Sequence, residues 1–248
     1  GMIVVNGDDE NSMCAVQELG GREIVTFGCS AGNEYWAKDI GMEPGSHAHF
    51  TLMHKDEKLA DMTLRIPGRH NIYNAVAAAA VAHKMGVFPQ QISESIDRFT
   101  GAGRRFEVLG RPGEIVIADD YAHHPTELRA TLTAAKEMGF RQVWAVFQPF
   151  TFSRTKMLLD DFAEVLQIAD HVVMTEIMGS REINTYNIYT SDLAAKIPGS
   201  VWFKTFEEVA DYVVKHAQPG DLVITLGCGD IYKAAKLMIK KYAAMGLK

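Results

Sequence analysis

The chain has 248 residues, 47% of them hydrophobic and 23% charged, with a formal net charge of −6. This length suits one large or two medium domains, and the acidic balance excludes wholesale binding to nucleic acid or an anionic membrane, which needs a basic face. Three scattered cysteines, Cys14, Cys29 and Cys228, exclude a disulfide framework or a zinc cluster and make a reducing cytoplasm the expected location.

Met2-Ile-Val-Val-Asn6 reads as a buried strand entered at once, with a helical pattern behind it. A start in mid-sheet predicts a piece of a longer protein, and Gly1 ahead of Met2 reads as a remnant of tag cleavage. No signal peptide precedes the strand, and no apolar run reaches the roughly 18 residues that span a bilayer. A second strand is predicted at Ile24 to Phe27. His49 to His54 and Leu59 to Ile66 then alternate on either side of the polar turn Lys55 to Lys58, which predicts an antiparallel hairpin. Pro67-Gly68 stops that hairpin, and an alanine-rich helix follows from Asn71 to Met85 with Gly86 as its stop. A short helix near Pro89 to Phe99 precedes the glycine-rich Thr100-Gly-Ala-Gly-Arg-Arg105, which suits a hinge. The expected domains are residues 1–106 and 107–248.

Beyond the hinge the pattern is regular. Apolar strands at Glu114 to Ala118, Gln142 to Phe147, His171 to Thr175, Val201 to Phe203 and Leu222 to Thr225 alternate with amphipathic helices. Such alternation implies an α/β fold: a doubly wound, mostly parallel, Rossmann-like sheet covered on both faces. Ligands of such sheets bind where the carboxyl ends of the strands meet the following loops. At that edge the sequence places its densest ionisable run, Asp119-Asp120-Tyr121-Ala122-His123-His124-Pro125-Thr126-Glu127. Pro125 fits the first turn of a helix running to Met138, so His123 and His124 stand just outside a positive helix end that favours a bound anion. The alternative at this point is a capped helix beside a solvated tyrosine.

Other candidates are weaker one by one. Pro67-Gly-Arg-His70-Asn71-Ile-Tyr-Asn74 could read a heterocycle edge, although Asn71 serves equally well as an N-cap. Arg104-Arg105 offers guanidinium groups for phosphate oxygens. Arg154, in the loop after Phe147, could meet an anion, and Gly227-Cys-Gly-Asp230 could let backbone approach a ligand or simply turn.

Together these motifs resemble the Mur ligases of peptidoglycan synthesis, a resemblance that covers nearly the whole chain. Val146-Phe-Gln-Pro with Ser153-Arg154-Thr155 favours the alanine-adding branch over the murein tripeptide recycling branch. The resemblance implies that residues 1–106 are the latter part of an α/β central ATPase domain and that residues 107–248 are the complete C-terminal domain. It implies that ATP phosphorylates the carboxylate of UDP-N-acetylmuramate and that L-alanine attacks the acyl phosphate, with Mg²⁺ as the metal. His70, Asn71 and Asn74 would contact the adenine. Arg105 and Asp120 would reach ATP, the carboxylate holding the ribose hydroxyls. Tyr121, His123 and His124 would face the amino acid and the reacting carboxyl, and Arg154 would close on the substrate carboxylate or acyl phosphate.

Two departures accompany the resemblance. The Gly-x-x-Gly-Lys-Thr phosphate loop occurs nowhere in the chain, so the chain is expected to be inactive alone, with most of the Mg²⁺ ligation lying elsewhere. Phe150 and Thr151 stand where many relatives carry a His-Arg pair. Two rival readings are a metal-dependent phosphoesterase using Asp119, Asp120, His123 and His124, and a nucleotide-sensing module of doubly wound fold.

Overall fold

Hydrophobic strands of period two build the first of two sheets in this computed structural model, which describes residues 1–42 and 48–247. The chain divides into two compact units, residues 1–100 and 101–248. The first runs β1 (Met2–Asn6), α1 (Glu10–Gln17), β2 (Glu23–Gly28), β3 (Tyr35–Met42), β4 (Ala48–His54), β5 (Glu57–Leu64), α2 (His70–Lys84) and α3 (Pro89–Asp97). Among the described residues its sheet has the order β1-β2-β3-β4-β5. β1, β2 and β3 pair in parallel, while β3, β4 and β5 form an antiparallel meander.

Strand β3 was not expected from sequence. Its Lys38, Asp39 and Gly41 break the apolar pattern, and the register shifts between Lys38 and Gly41 where Asp39 takes φ 53°. Helix α2 lays Ile72, Ala75, Val76, Ala79 and Ala80 on the sheet, a face of mostly small side chains that permits close approach. It ends as predicted, with Gly86 at φ 89° and the Val87 N–H returning to the Ala82 carbonyl. Its start differs from the capping alternative: Arg69 holds the N-cap position, and Asn71 lies inside the first turn.

The second unit runs β6 (Glu107–Gly110), a 3₁₀ turn at Pro112–Glu114, β7 (Val116–Asp120), α4 (Pro125–Glu137), β8 (Val143–Phe147), α5 (Phe152–Met157), α6 (Leu159–Leu166), β9 (His171–Thr175), α7 (Thr190–Ala194), β10 (Val201–Phe203), α8 (Phe206–His216), β11 (Leu222–Leu226) and α9 (Tyr232–Ala244). The described strands order as β10-β9-β8-β11-β7-β6, all parallel except β6 against β7. Leu128, Leu132, Phe162 and Leu166 fill one face, and Val209, Val213, Met238 and Tyr242 fill the other. Both faces are therefore covered, as a doubly wound sheet requires. Full burial of one such Leu or Phe side chain contributes about 1.5–3 kcal/mol.

One boundary moved in a way that matters for function. The 3₁₀ turn takes Glu114 out of the predicted strand, and β7 runs on to Asp120, where Asp119 pairs in register with Thr225 and Asp120 with Leu226. The two carboxylates thus end the strand rather than begin the turn. Among the described residues no helix is long and apolar enough to cross a membrane.

Candidate active site

The parallel strands β7, β8, β9, β10 and β11 bring their carboxyl ends to one edge, so the loops after Asp120, Phe147, Thr175, Phe203 and Leu226 share it. Successive strand residues point to opposite faces, which separates Asp119 from Asp120. Asp119 is 1% exposed; its Oδ2 accepts from Arg104 Nε at 2.8 Å and its Oδ1 from Thr225 Oγ1 at 2.6 Å. Arg104 also donates from Nη2 to the Gly227 carbonyl at 2.7 Å, and its guanidinium lies 5.0 Å from the ring centroids of both Tyr121 and Tyr232. Arg104 is therefore an internal latch among three strand-end segments. Its neighbour Arg105 remains exposed, 5.6 Å from the Tyr121 centroid.

Asp120 accepts from the Phe106 N–H at 2.9 Å and from the Ala122 N–H at 2.7 Å. Burial pushes its carboxyl above the ordinary value, while those two N–H groups and the Arg105 charge pull part of the way back. The lone pairs left on its oxygens can still accept from a ligand.

The turn beyond divides its two imidazoles between jobs. His124 is the N-cap of α4: its Nδ1 accepts from the Thr126 N–H at 3.3 Å, and Glu127 closes the capping box. The capped-helix alternative thus describes His124. His123 Nδ1 instead faces two acceptors, the Tyr121 carbonyl at 3.0 Å and Glu127 Oε2 at 3.2 Å, so in the neutral ring the proton sits on Nδ1 and Nε2 presents the lone pair. The phosphoesterase reading fails on this geometry. Asp119 is consumed by Arg104 and Thr225, His124 by its helix, and among the described residues no three His, Cys, Asp or Glu side chains gather to hold an ion.

After β8 the chain turns sharply through Thr151, at φ 64° and ψ 142°, into α5. Arg154 in that helix has its guanidinium 6.0 Å from the Phe150 ring, and its Nη1 is buried without a hydrogen-bond partner among the described residues. The facing turn is glycine-rich for a steric reason. A Cβ on Gly229 would stand 2.5 Å from Met178 Sδ and 2.6 Å from Gln148 Oε1, and one on Gly227 3.0 Å from the Gln148 carbonyl. Gln148 is 7% exposed and accepts from the Asp230 N–H at 3.0 Å. An open cleft of about 390 Å³ lies alongside, lined among others by Gln148, Glu176, Met178, Lys204 and Asp230.

In the first unit, His70, Asn71 and Asn74 share the first turn of α2. Asn71 Nδ2 donates to the Pro67 carbonyl at 2.6 Å, and its Oδ1 accepts from Asn74 Nδ2 at 3.0 Å. Tyr73, on the same turn, bonds Asp8 and the Cys29 thiol at the ends of β1 and β2, and burial raises its phenol. Sequence reasoning missed the roles of Arg104, Gln148 and Tyr73. Gln148 alone carried a signal, a polar residue closing a fully apolar strand.

The family profile described as the Mur ligase glutamate ligase domain matches residues 104–229, and that of the Mur ligase middle domain matches residues 1–82. The UDP-N-acetylmuramate–L-alanine ligase of Acetivibrio thermocellus is 38% identical over 97% of this chain and 52% of its own length. The crystal structure of UDP-N-acetylmuramate-alanine ligase from Thermotoga maritima superposes with TM-score 0.78 at 24% identity, covering 98% of this chain and 52% of that one. That of MurF ligase from the same organism, in complex with ADP, gives 0.73 at 17% identity, covering 99% and 54%. The chain spans about half the length of the curated relatives it matches.

Proposed function

The chain belongs to the Mur ligase family, and from that premise we propose that it is the ATP-reading and amino-acid-reading part of a carboxylate–amine ligase. The longer protein adds L-alanine to UDP-N-acetylmuramate in the cytoplasm, building a peptidoglycan precursor. We assign residues 1–106 to the latter part of the central ATP-binding domain and residues 107–248 to the C-terminal ligase domain.

ATP phosphorylates the muramoyl carboxylate, the alanine amine attacks the acyl phosphate, and phosphate leaves from a tetrahedral, highly anionic intermediate. Such a reaction needs preorganised donors more than a nucleophilic side chain. His70, Asn71 and Asn74 read the adenine, Arg105 reaches the phosphates, and Asp120 accepts from the ribose hydroxyls. Tyr121 lines the amino-acid side. His123 Nε2, its lone pair fixed by the Nδ1 contacts, takes the proton that the amine sheds. His124 holds the helix start that places His123. Mg²⁺ would supply further charge neutralisation at the phosphates, and most of its protein ligands would lie in the remainder of the longer protein.

The observation that carries this reading is the buried Nη1 of Arg154, a guanidinium nitrogen left without a hydrogen-bond acceptor among the described residues at the strand-end edge. An unsatisfied buried donor is costly, and a substrate carboxylate would satisfy it. The test restores the preceding half of the protein and measures ATP- and alanine-dependent phosphate release. Arg154→Ala should lower kcat/KM by roughly 10²–10³-fold, as removal of one oxyanion donor does, with Asp120→Ala and His123→Ala also impaired. The 248-residue chain alone should release none. Undiminished rates in all three variants would sink the assignment.

A further inference from the structure

Glu182 lies in the long loop after β9, far in sequence from any motif, yet four hydrogen bonds tie that loop to the turn that delivers Arg154. The Met178 N–H donates to the Pro149 carbonyl at 2.9 Å, and the Thr151 N–H donates to the Met178 carbonyl at 2.9 Å. Two residues on, Ser153 donates its N–H to Glu182 Oε2 at 2.9 Å and its hydroxyl to Glu182 Oε1. Gly179 permits this closeness, because a Cβ there would stand 2.5 Å from the Phe152 ring.

The turn needs holding. Thr151 has φ 64° and ψ 142°, a backbone state bordering a region that glycine alone visits freely and that a β-branched residue adopts only under constraint. Such strain persists where surrounding structure over-determines it, and the bonds from residues 178 and 182 supply that constraint. Glu182 is charged for the task, since its bonds from Ser153, with a smaller pull from the Arg154 cation, hold its carboxyl below the ordinary glutamate value.

We propose that Glu182 is a positioning residue, a splint that keeps the strained Thr151 turn in place and thereby aims the Arg154 guanidinium at the substrate carboxylate. The inference rests on the reading of Arg154 given above. Glu182 touches no reacting atom in this scheme; it acts through Ser153 and the backbone of residues 151–154.

Two measurements test it. In the 248-residue chain, Glu182→Ala should speed hydrogen exchange at the Ser153 amide at least tenfold, a readout that needs no activity. In the full-length ligase the same variant should raise KM for the amino acid roughly tenfold or more, as small misplacements of positioning groups do, with KM for ATP unchanged. Glu182→Gln, which keeps one acceptor for Ser153, should recover part of the loss. Thr151→Gly added to Glu182→Ala should recover more, because glycine tolerates the turn without a splint. Unchanged exchange and KM in Glu182→Ala, while Arg154→Ala is impaired, would overturn this inference alone. Failure of Thr151→Gly to recover any function would also overturn it, by showing that Glu182 acts directly. A full-rate Arg154→Ala enzyme would instead remove the reading on which the inference stands.

Discussion

Asp120 carries two demands that oppose each other. Burial favours its neutral form, whereas ribose hydroxyls donate most strongly to a carboxylate. On the proposed ribose contact, nucleotide binding would expel a proton at any pH below the raised value, so affinity for ATP should climb as pH rises through it. KM for ATP in the full-length enzyme should show an acid limb lying above the ordinary aspartate range of about 4. Asp120→Asn should flatten that limb and bind ATP roughly 10–100-fold more weakly, the worth of a hydrogen bond to a charged group. A wild-type profile without the limb would contradict the ribose assignment. At Gly229 the issue is space rather than charge. Gly229→Ala would drive a methyl into Gln148 Oε1, which is committed to the Asp230 N–H. Urea unfolding should report a loss of about 1–3 kcal/mol, the usual cost of overpacking. Residue chemistry was only half legible in sequence: Arg104 and Arg105 are adjacent and identical in type, and nothing in the string tells that the first is locked against Asp119 while the second is exposed beside Tyr121.

Elements show the same division. Strands β8, β9 and β11 were legible because central parallel strands need apolar residues on both faces and so appear as unbroken runs. The four-residue edge strand β6 and the bulged β3 were not, since pairing with a neighbour defines them rather than any period of their own. The latch of Arg104 binds β6, β7 and β11 at their functional ends. Arg104→Ala leaves Asp119 buried with Thr225 as its remaining hydrogen-bond donor, and chemical denaturation should show a loss of about 3 kcal/mol, as for one partner removed from a buried pair. For helix α4 the test is substitution by a better cap. His124→Asn should preserve stability and most of the rate, because asparagine caps well, while His124→Ala should cost about 1 kcal/mol. A rate loss in His124→Asn matching that of His123→Ala would assign the second ring a chemical duty after all.

At the scale of the whole molecule, the two units have separate cores, so residues 101–248 expressed alone should unfold in a single cooperative transition detectable by calorimetry. Strand order in that unit was beyond sequence reasoning. Alternating strands and helices announce a doubly wound sheet, but the apolar runs carry no mark of which neighbour each will take. The observed order seats β11, the last of this sheet's described strands in chain order, between β7 and β8, and the Gly227–Asp230 turn follows it. A ribosome that has not yet delivered residue 226 therefore holds two half-sheets with unpaired edges facing each other. Such edges recruit other strands, so any premature stop before this point should yield an aggregating chain rather than a shortened enzyme.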